Sequence, residues 1–276
     1  MRNRLAYLPA YCANDAHSQH RSCATVSTSK PRRSSNVSRI IGLIGGMSWE
    51  STATYYREIN EMVRERHGGL VSADILLRSV NFDEIVALQK AGDWDGAEAR
   101  LAEAGRGLAG AGAGCLLICT NTMHLVAEGV ERSAGVPLIH IVDVVGRDLT
   151  ARGVKTPLLL ATRYTMEQNF WKDRLRRKFD LDVMVPDEQD RTIVHDVIFD
   201  ELCRGVIKEA SRESYIRIIN AGKARGADSV IFGCTEIGLL INSADTDLAV
   251  FDSTKLHARA AADFFDGRLD MAPLAA

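Results

Sequence analysis

Gly112-Ala-Gly-Cys-Leu-Leu-Ile-Cys-Thr120 and Gly226-Ala-Asp-Ser-Val-Ile-Phe-Gly-Cys234 align without a gap. Each stretch reads as a helix end, a short buried strand and a polar turn. Thr120 falls opposite Cys234. The strand-turn segments Ile41 to Met47 and Leu158 to Thr165 precede these two by similar distances. The chain therefore reads as two α/β units of like construction. A glycine-alanine, strand, turn pattern recurs in many α/β units, so the short match supports a duplication without proving it.

Outward from these turns, strand and helix alternate. Ile40 to Ile44 is an apolar run closed by Gly45-Gly46, which predicts a buried strand. Ser48 opens an amphipathic helix through about Arg66, with Arg57 and Glu61 one turn apart. Further strands are expected at 74–80, 115–119, 138–142, 157–161, 181–185 and 229–233. Helices are expected at 94–110, 143–152, 166–178, 190–204, 211–225 and 255–265. Asn81 and Glu84 suggest a capping box for a helix carrying Ile85, Leu88 and Gln89. This alternation predicts an α/β fold with parallel sheets covered on both faces.

The 276 residues are ample for two lobes. A net charge of −2 gives no sign of a nucleic-acid binder, which would rest on many phosphate contacts. No apolar run reaches the roughly 20 residues that span a bilayer, so no membrane partner is expected. Six cysteines without paired CxxC spacing fit free thiols in a reducing compartment, and a cytoplasmic location is expected. Residues 1–38 differ: Arg2, Arg4, Arg21, Lys30, Arg32 and Arg33 face one acid, Asp15. Ser-rich and aperiodic, this basic N-terminal extension reads as a disordered tail. An overlong gene start and an organellar leader are the other readings.

In open parallel sheets, ligands bind beyond the carboxyl ends of the strands. Four polar turns occupy that place: Gly45 to Ser48, Thr120 to Thr122, Thr162 to Thr165, and Cys234 to Glu236. Each leads to a helix start, where free N–H groups favour an anion such as a carboxylate. Cys234 sits where a thiolate is favoured and can act as base or nucleophile, with Thr235 and Glu236 beside it. The competing reading is a packed core thiol. Cys115 and Cys203 read as packing, as does Cys119, whose side chain points away from that of Thr120. His124 can tune the site or cap a helix, and His140 can satisfy a local carbonyl. The glycine run 110–114 precedes a strand, so it is not a dinucleotide loop, and no Walker or HExxH motif occurs. No cofactor and no metal are signalled.

Ile41-Gly-Leu-Ile-Gly-Gly-Met-Ser-Trp-Glu-Ser-Thr52, Cys119-Thr-Asn-Thr-Met-His124 and Phe232-Gly-Cys-Thr-Glu-Ile-Gly238 resemble the three signatures of the aspartate/glutamate racemase family. The resemblance runs from about Ile40 to Phe265. It is nearest to the broad-specificity amino-acid racemase branch of enteric bacteria, which also carries the Arg163 to Gln168 motif. It implies two similar lobes with the active site in the cleft between them: 39–138 plus 250–270, and 139–249. It also implies an isomerase that works without pyridoxal phosphate on a small amino acid, aspartate, glutamate or broader. Two residues, usually both cysteines, face the substrate Cα from opposite sides and exchange its proton. Here they would be Cys234 and Thr120. The threonine departs from the usual pair, though the nearest branch shares it, and a hydroxyl is a far poorer base than a thiolate. Substrate contacts are expected from Met47, Asn121, Thr122, Thr162, Thr165, Thr235 and Glu236, and the resemblance adds Gln89. A homodimer is compatible with it.

Two other readings compete. A malonate-type decarboxylase on the same scaffold would use Cys234 alone as proton donor, and a two-lobed binder would do no chemistry. An acidic substrate needs a basic group at its side chain, for which Arg78 and Arg163 are the candidates.

Overall fold

The chain is described as a computed structural model over residues 38–271. The expected N-terminal extension, all but Ser38, lies outside the described residues. Ser38 already belongs to the fold, because its hydroxyl donates to the Gly112 carbonyl at 2.7 Å.

The first half contains β1 (Ile41–Gly45), α1 (Trp49–His67), β2 (Ile75–Ser79), α2 (Phe82–Ala91), α3 (Trp94–Gly110), β3 (Cys115–Ile118) and α4 (Ala127–Ala134). The second contains α5 (Ile141–Ala151), β4 (Pro157–Leu160), α6 (Arg163–Glu167), α7 (Phe170–Phe179), α8 (Glu188–Asp196) and α9 (Glu209–Ala224). It closes with β5 (Ser229–Phe232), α10 (Ile237–Leu240), β6 (Ala249–Asp252) and α11 (Ser253–Phe265). Among the described residues no helix is long and apolar enough to cross a membrane.

Both sheets are parallel and share one plan. The first runs β2-β1-β3, with Ile41 opposite Ile75 and Cys115. The second runs β4-β5-β6, with Ser229 opposite Pro157 and Ala249. Single bridges complete the match: Leu138 pairs with Leu116 of β3, and Met184 with Leu158 of β4. Each sheet thus has four parallel positions, β2, β1, β3 and Leu138 against Met184, β4, β5 and β6. The α/β class with two like lobes is the observed architecture, and the 112–120 and 226–234 stretches hold equivalent places in it.

The expected strands at 138–142 and 181–185 are these single bridges. His140 begins capping α5 two residues after Leu138, leaving no room for a longer strand. β6 escaped the sequence reading, because Ala249–Asp252 is a four-residue run with an exposed first position. The expected helix at 166–178 is two helices, α6 ending at Gln168 in extended backbone before α7 begins. The one at 190–204 loosens after Asp196 into a π turn, Val197–Glu201, and a 3₁₀ turn, Leu202–Arg204. At α2, Asn81 accepts from the Asp83 N–H, and Glu84 meets the Asn81 amide rather than its backbone, so the expected capping box is only partly formed.

The helices that follow the last strand position of each sheet cross to the other one. Ile141, Val142, Val145 and Leu149 of α5 are buried with Leu158, Leu160 and Phe232 of the second sheet. Ala258, Ala261 and Phe264 of α11 are buried with Ile41 and Leu43 of the first. The segment 250–270 is therefore divided: β6 pairs in the second sheet while α11 packs on the first. This exchange interlocks the halves, and truncating one of its buried large aliphatics costs about 2–5 kcal/mol. Gly46 fixes the first turn. Its φ is +93°, and a Cβ there would lie 2.2 Å from the Val80 carbonyl oxygen, so only glycine fits.

Candidate active site

Thr120 and Cys234 each stand two residues beyond a strand end, after Ile118 of β3 and Phe232 of β5. Both line one small cavity at the carboxyl ends of the two sheets. Met47, Gln89, Asn121, Thr122, Thr162, Thr235 and Glu236 share its wall.

The wall is stitched by two mirrored sets of hydrogen bonds. Ser48 caps α1, accepting from the Ser51 N–H at 3.1 Å, and its hydroxyl donates to Glu236 Oε1 at 3.0 Å. Thr162 caps α6, accepting from the Thr165 N–H at 3.4 Å, and its hydroxyl lies 3.1 Å from that of Thr122. In both cases the turn after one sheet's inner strand is tied to the helix cap of the other sheet. Thr235 extends the first set, bonding the Ser51 hydroxyl and receiving that of Thr254 at 3.3 Å.

Asn121 is buried and oriented by logic that fixes its amide. The Ser253 hydroxyl donates to the Phe232 carbonyl at 2.7 Å, so it can only accept from Asn121 Nδ2, 3.1 Å away. Asn121 Oδ1 is left buried without a partner among the described residues. A buried acceptor of this kind costs about 1–3 kcal/mol until something donates to it.

Cys234 donates its thiol to Glu236 Oε2 at 2.9 Å. Burial, and then the Glu236 carboxylate, push this thiol well above its ordinary range. The thiol thus faces a carboxylate rather than a helix N-terminus, which departs from the sequence expectation of a favoured thiolate. The helix that follows, α10, spans only Ile237–Leu240, and the nearest charge is negative. Cys203, expected to be mere packing, lies on the cavity wall, its thiol pushed up to about 12 by burial. Cys115 and Cys119 are fully buried in the first sheet's core, as expected.

His124 neither caps a long helix nor reaches the Thr120 hydroxyl. Its Nδ1 lies 2.8 Å from the Thr120 carbonyl oxygen and must donate to it, while Nε2 has no partner among the described residues. His140 accepts the Val142 N–H at 3.2 Å, the reverse of the carbonyl contact expected. Thr165 is fully buried behind the wall, where it supports Thr122 at 3.1 Å rather than facing the cavity. Arg78 is exposed on β2, and Arg163 is bound to Thr192 at 3.2 Å. Neither lines the cavity. Sequence reasoning placed Ser48 in a ligand-facing turn without naming it a contact, and missed Ser51, Phe82, Ile198 and Phe199 on the wall. The two serines sit in a quoted motif at capping spacing and were within reach. Ile198 and Phe199 are turned inward by the π turn, which no local pattern announces.

Comparison with known proteins gives this geometry its context. The sequence profile of the family Asp/Glu/Hydantoin racemase matches residues 44–261. A Yersinia pestis protein described as a candidate Asp/Glu racemase is 50% identical, with TM-score 0.78, over 82% of this chain and 98% of that one. An aspartate racemase homologue from Pyrococcus horikoshii is 34% identical, with TM-score 0.73, over 83% and 99%. A mutant of arylmalonate decarboxylase, 12% identical with TM-score 0.53 over 85% and 96%, shares the fold. With paired parallel sheets, a shared cavity and the profile match in agreement, the chain belongs to the Asp/Glu/Hydantoin racemase family and is an isomerase of the racemase type.

Proposed function

We propose that this protein racemises a small α-amino acid at Cα without a cofactor, with Cys234 and Thr120 as the two catalytic residues. The observation that carries this reading is their equivalence. They occupy matching turns of two like sheets and line one cavity.

The hydroxyls of Thr122 and Thr162, with the free N–H groups of the turns, receive the α-carboxylate. Asn121 Oδ1, buried and without a partner among the described residues, accepts from the α-ammonium. Thr165 holds Thr122 and Thr162 in place, and Met47, Gln89 and Thr235 close the wall. The Cys234 proton passes to Glu236 Oε2, and the thiolate removes the Cα proton. The electron pair left on Cα spreads into the substrate carboxylate. The Thr120 hydroxyl then delivers its proton to the opposite face. A proton relayed by water from Glu236 to the Thr120 oxygen restores the starting state. No other bond is made or broken.

Incubation with L- and D-amino acids in deuterium oxide, followed by NMR of the Cα–H signal, tests the reading. Exchange without added cofactor supports it. Carbon dioxide release from substituted malonates with no Cα exchange would favour the decarboxylase instead.

A further inference from the structure

A second cleft lies among α4, the segment that leads into α5, and α7, and its volume is about 370 Å³. That falls in the range of small-molecule sites, roughly 300–1,000 Å³. It shares no lining residue with the cavity of Thr120 and Cys234. His140 lines it while only 8% exposed. Its Nδ1 accepts the Val142 N–H at 3.2 Å and so carries no proton. Burial, and next the positive field of Arg174, lowers this histidine to about 2 and keeps the ring neutral. The one ring proton is therefore on Nε2. That N–H has no partner among the described residues and, unlike Nε2 of His124, is not sealed from solvent. A donor this deeply placed gains when an acceptor reaches it.

The neighbouring side chains decide the sign of that acceptor. Lys178 gives one hydrogen to Asp143 Oδ2 at 2.7 Å and keeps two. Asp143 is already bound on both oxygens by Arg174, at 2.5 and 2.9 Å. Glu131 Oε1 accepts the Leu138 N–H at 2.7 Å, and Glu128 Oε1 meets Arg174 at 3.2 Å. With these acids engaged, the ionic neighbours that act on the His140 ring are Arg174 and Lys178, both positive. Arg132 adds an exposed cation to the wall.

We propose that this cleft is a second ligand site, for a small molecule that carries a carboxylate or a phosphate. One oxygen of that group accepts from His140 Nε2 and another from Lys178, while Leu138 and Met271 offer apolar contact to the rest of the molecule. The assignment stands apart from the racemase reading, since it uses none of the residues on which that reading rests.

Titration of the full-length protein with inorganic phosphate and, separately, with succinate tests it, read on the ring nitrogens of His140 by long-range proton–nitrogen NMR. His140→Asn identifies the resonance. The Nε2 signal should shift saturably, with a dissociation constant of about 10 mM or lower for at least one of the two anions. The anion that binds more tightly tells a phosphate site from a carboxylate site. Lys178→Glu, at a half-exposed side chain, should weaken binding at least tenfold. Lys155→Glu makes the same change of net charge outside the cleft and should leave the dissociation constant unchanged. Each variant is first checked for an unchanged melting transition. No saturable shift with either anion, or equal weakening by the two lysine variants, overturns the proposal.

Discussion

One carboxylate, Glu236, accepts the Cys234 thiol at 2.9 Å on one oxygen and the Ser48 hydroxyl at 3.0 Å on the other. The same group that holds the turn after β5 to the cap of α1 also accepts the proton of the Cys234 thiol. Glu236→Gln separates these roles. The amide can still bond Ser48 but no longer carries the charge that helps raise the thiol. Cys234 should then ionise at lower pH, seen as a shift of its iodoacetamide alkylation profile to lower pH. Without an acceptor for the thiol proton, kcat/KM should fall more than tenfold, about 1.4 kcal/mol of transition-state stabilisation. An unchanged alkylation profile would remove Glu236 as the group that controls the thiol.

Asn121→Ala takes away the buried Oδ1 and the bond to Ser253. It should lower kcat/KM by more than tenfold while the cavity stays intact. Wild-type kinetics in this variant would place substrate recognition elsewhere.

Three buried histidines predict how stability depends on pH. His140 must keep Nδ1 unprotonated to accept the Val142 N–H, and burial lowers it to about 2. His257 lies between the Tyr55 hydroxyl and the Ile139 carbonyl, and burial lowers it to about 4. His124 is also lowered by burial, and next by its neighbours His140 and His257. All three are depressed in the folded state, so the stability they confer is present above the ordinary value of 6.5 and is lost as pH falls below it. Each costs about 1.4 kcal/mol per pH unit while the unfolded chain takes up the proton and the folded one does not. Urea midpoints should drop steeply between pH 6.5 and pH 5, and His140→Asn should flatten the drop. A midpoint independent of pH over that range would contradict this account.

The fold was legible where local pattern and tertiary role agree. Ile41–Gly45 with Ser48, and Cys115–Ile118 with Thr120, read correctly because buried strands and caps leave short-range marks. β6 and the bridge at Leu138 left none, since pairing at a sheet edge depends on the neighbouring strand and not on their own residues. The crossing of α5 and α11 between sheets is likewise invisible to periodicity, which shows an apolar face without its partner. In the site, Cys234, Thr120 and Asn121 were legible from motif and strand position. The protonation of Cys234 was not, because it depends on the direction in which the Glu236 side chain turns.

Cys234→Ser should abolish racemisation in both directions, whereas Thr120→Cys should speed the direction that needs a base on the Thr120 face. Equilibrium between free enantiomers stays at unity, so the effects lie in initial rates.

The most direct test is Thr120→Ala, assayed in deuterium oxide for Cα exchange and for inversion of the same substrate. If Cys234 and Thr120 serve opposite faces, the variant should still exchange the proton on the Cys234 side while inversion stops. Normal racemisation by Thr120→Ala would contradict the account and leave Cys234 as the sole catalytic residue of the pair.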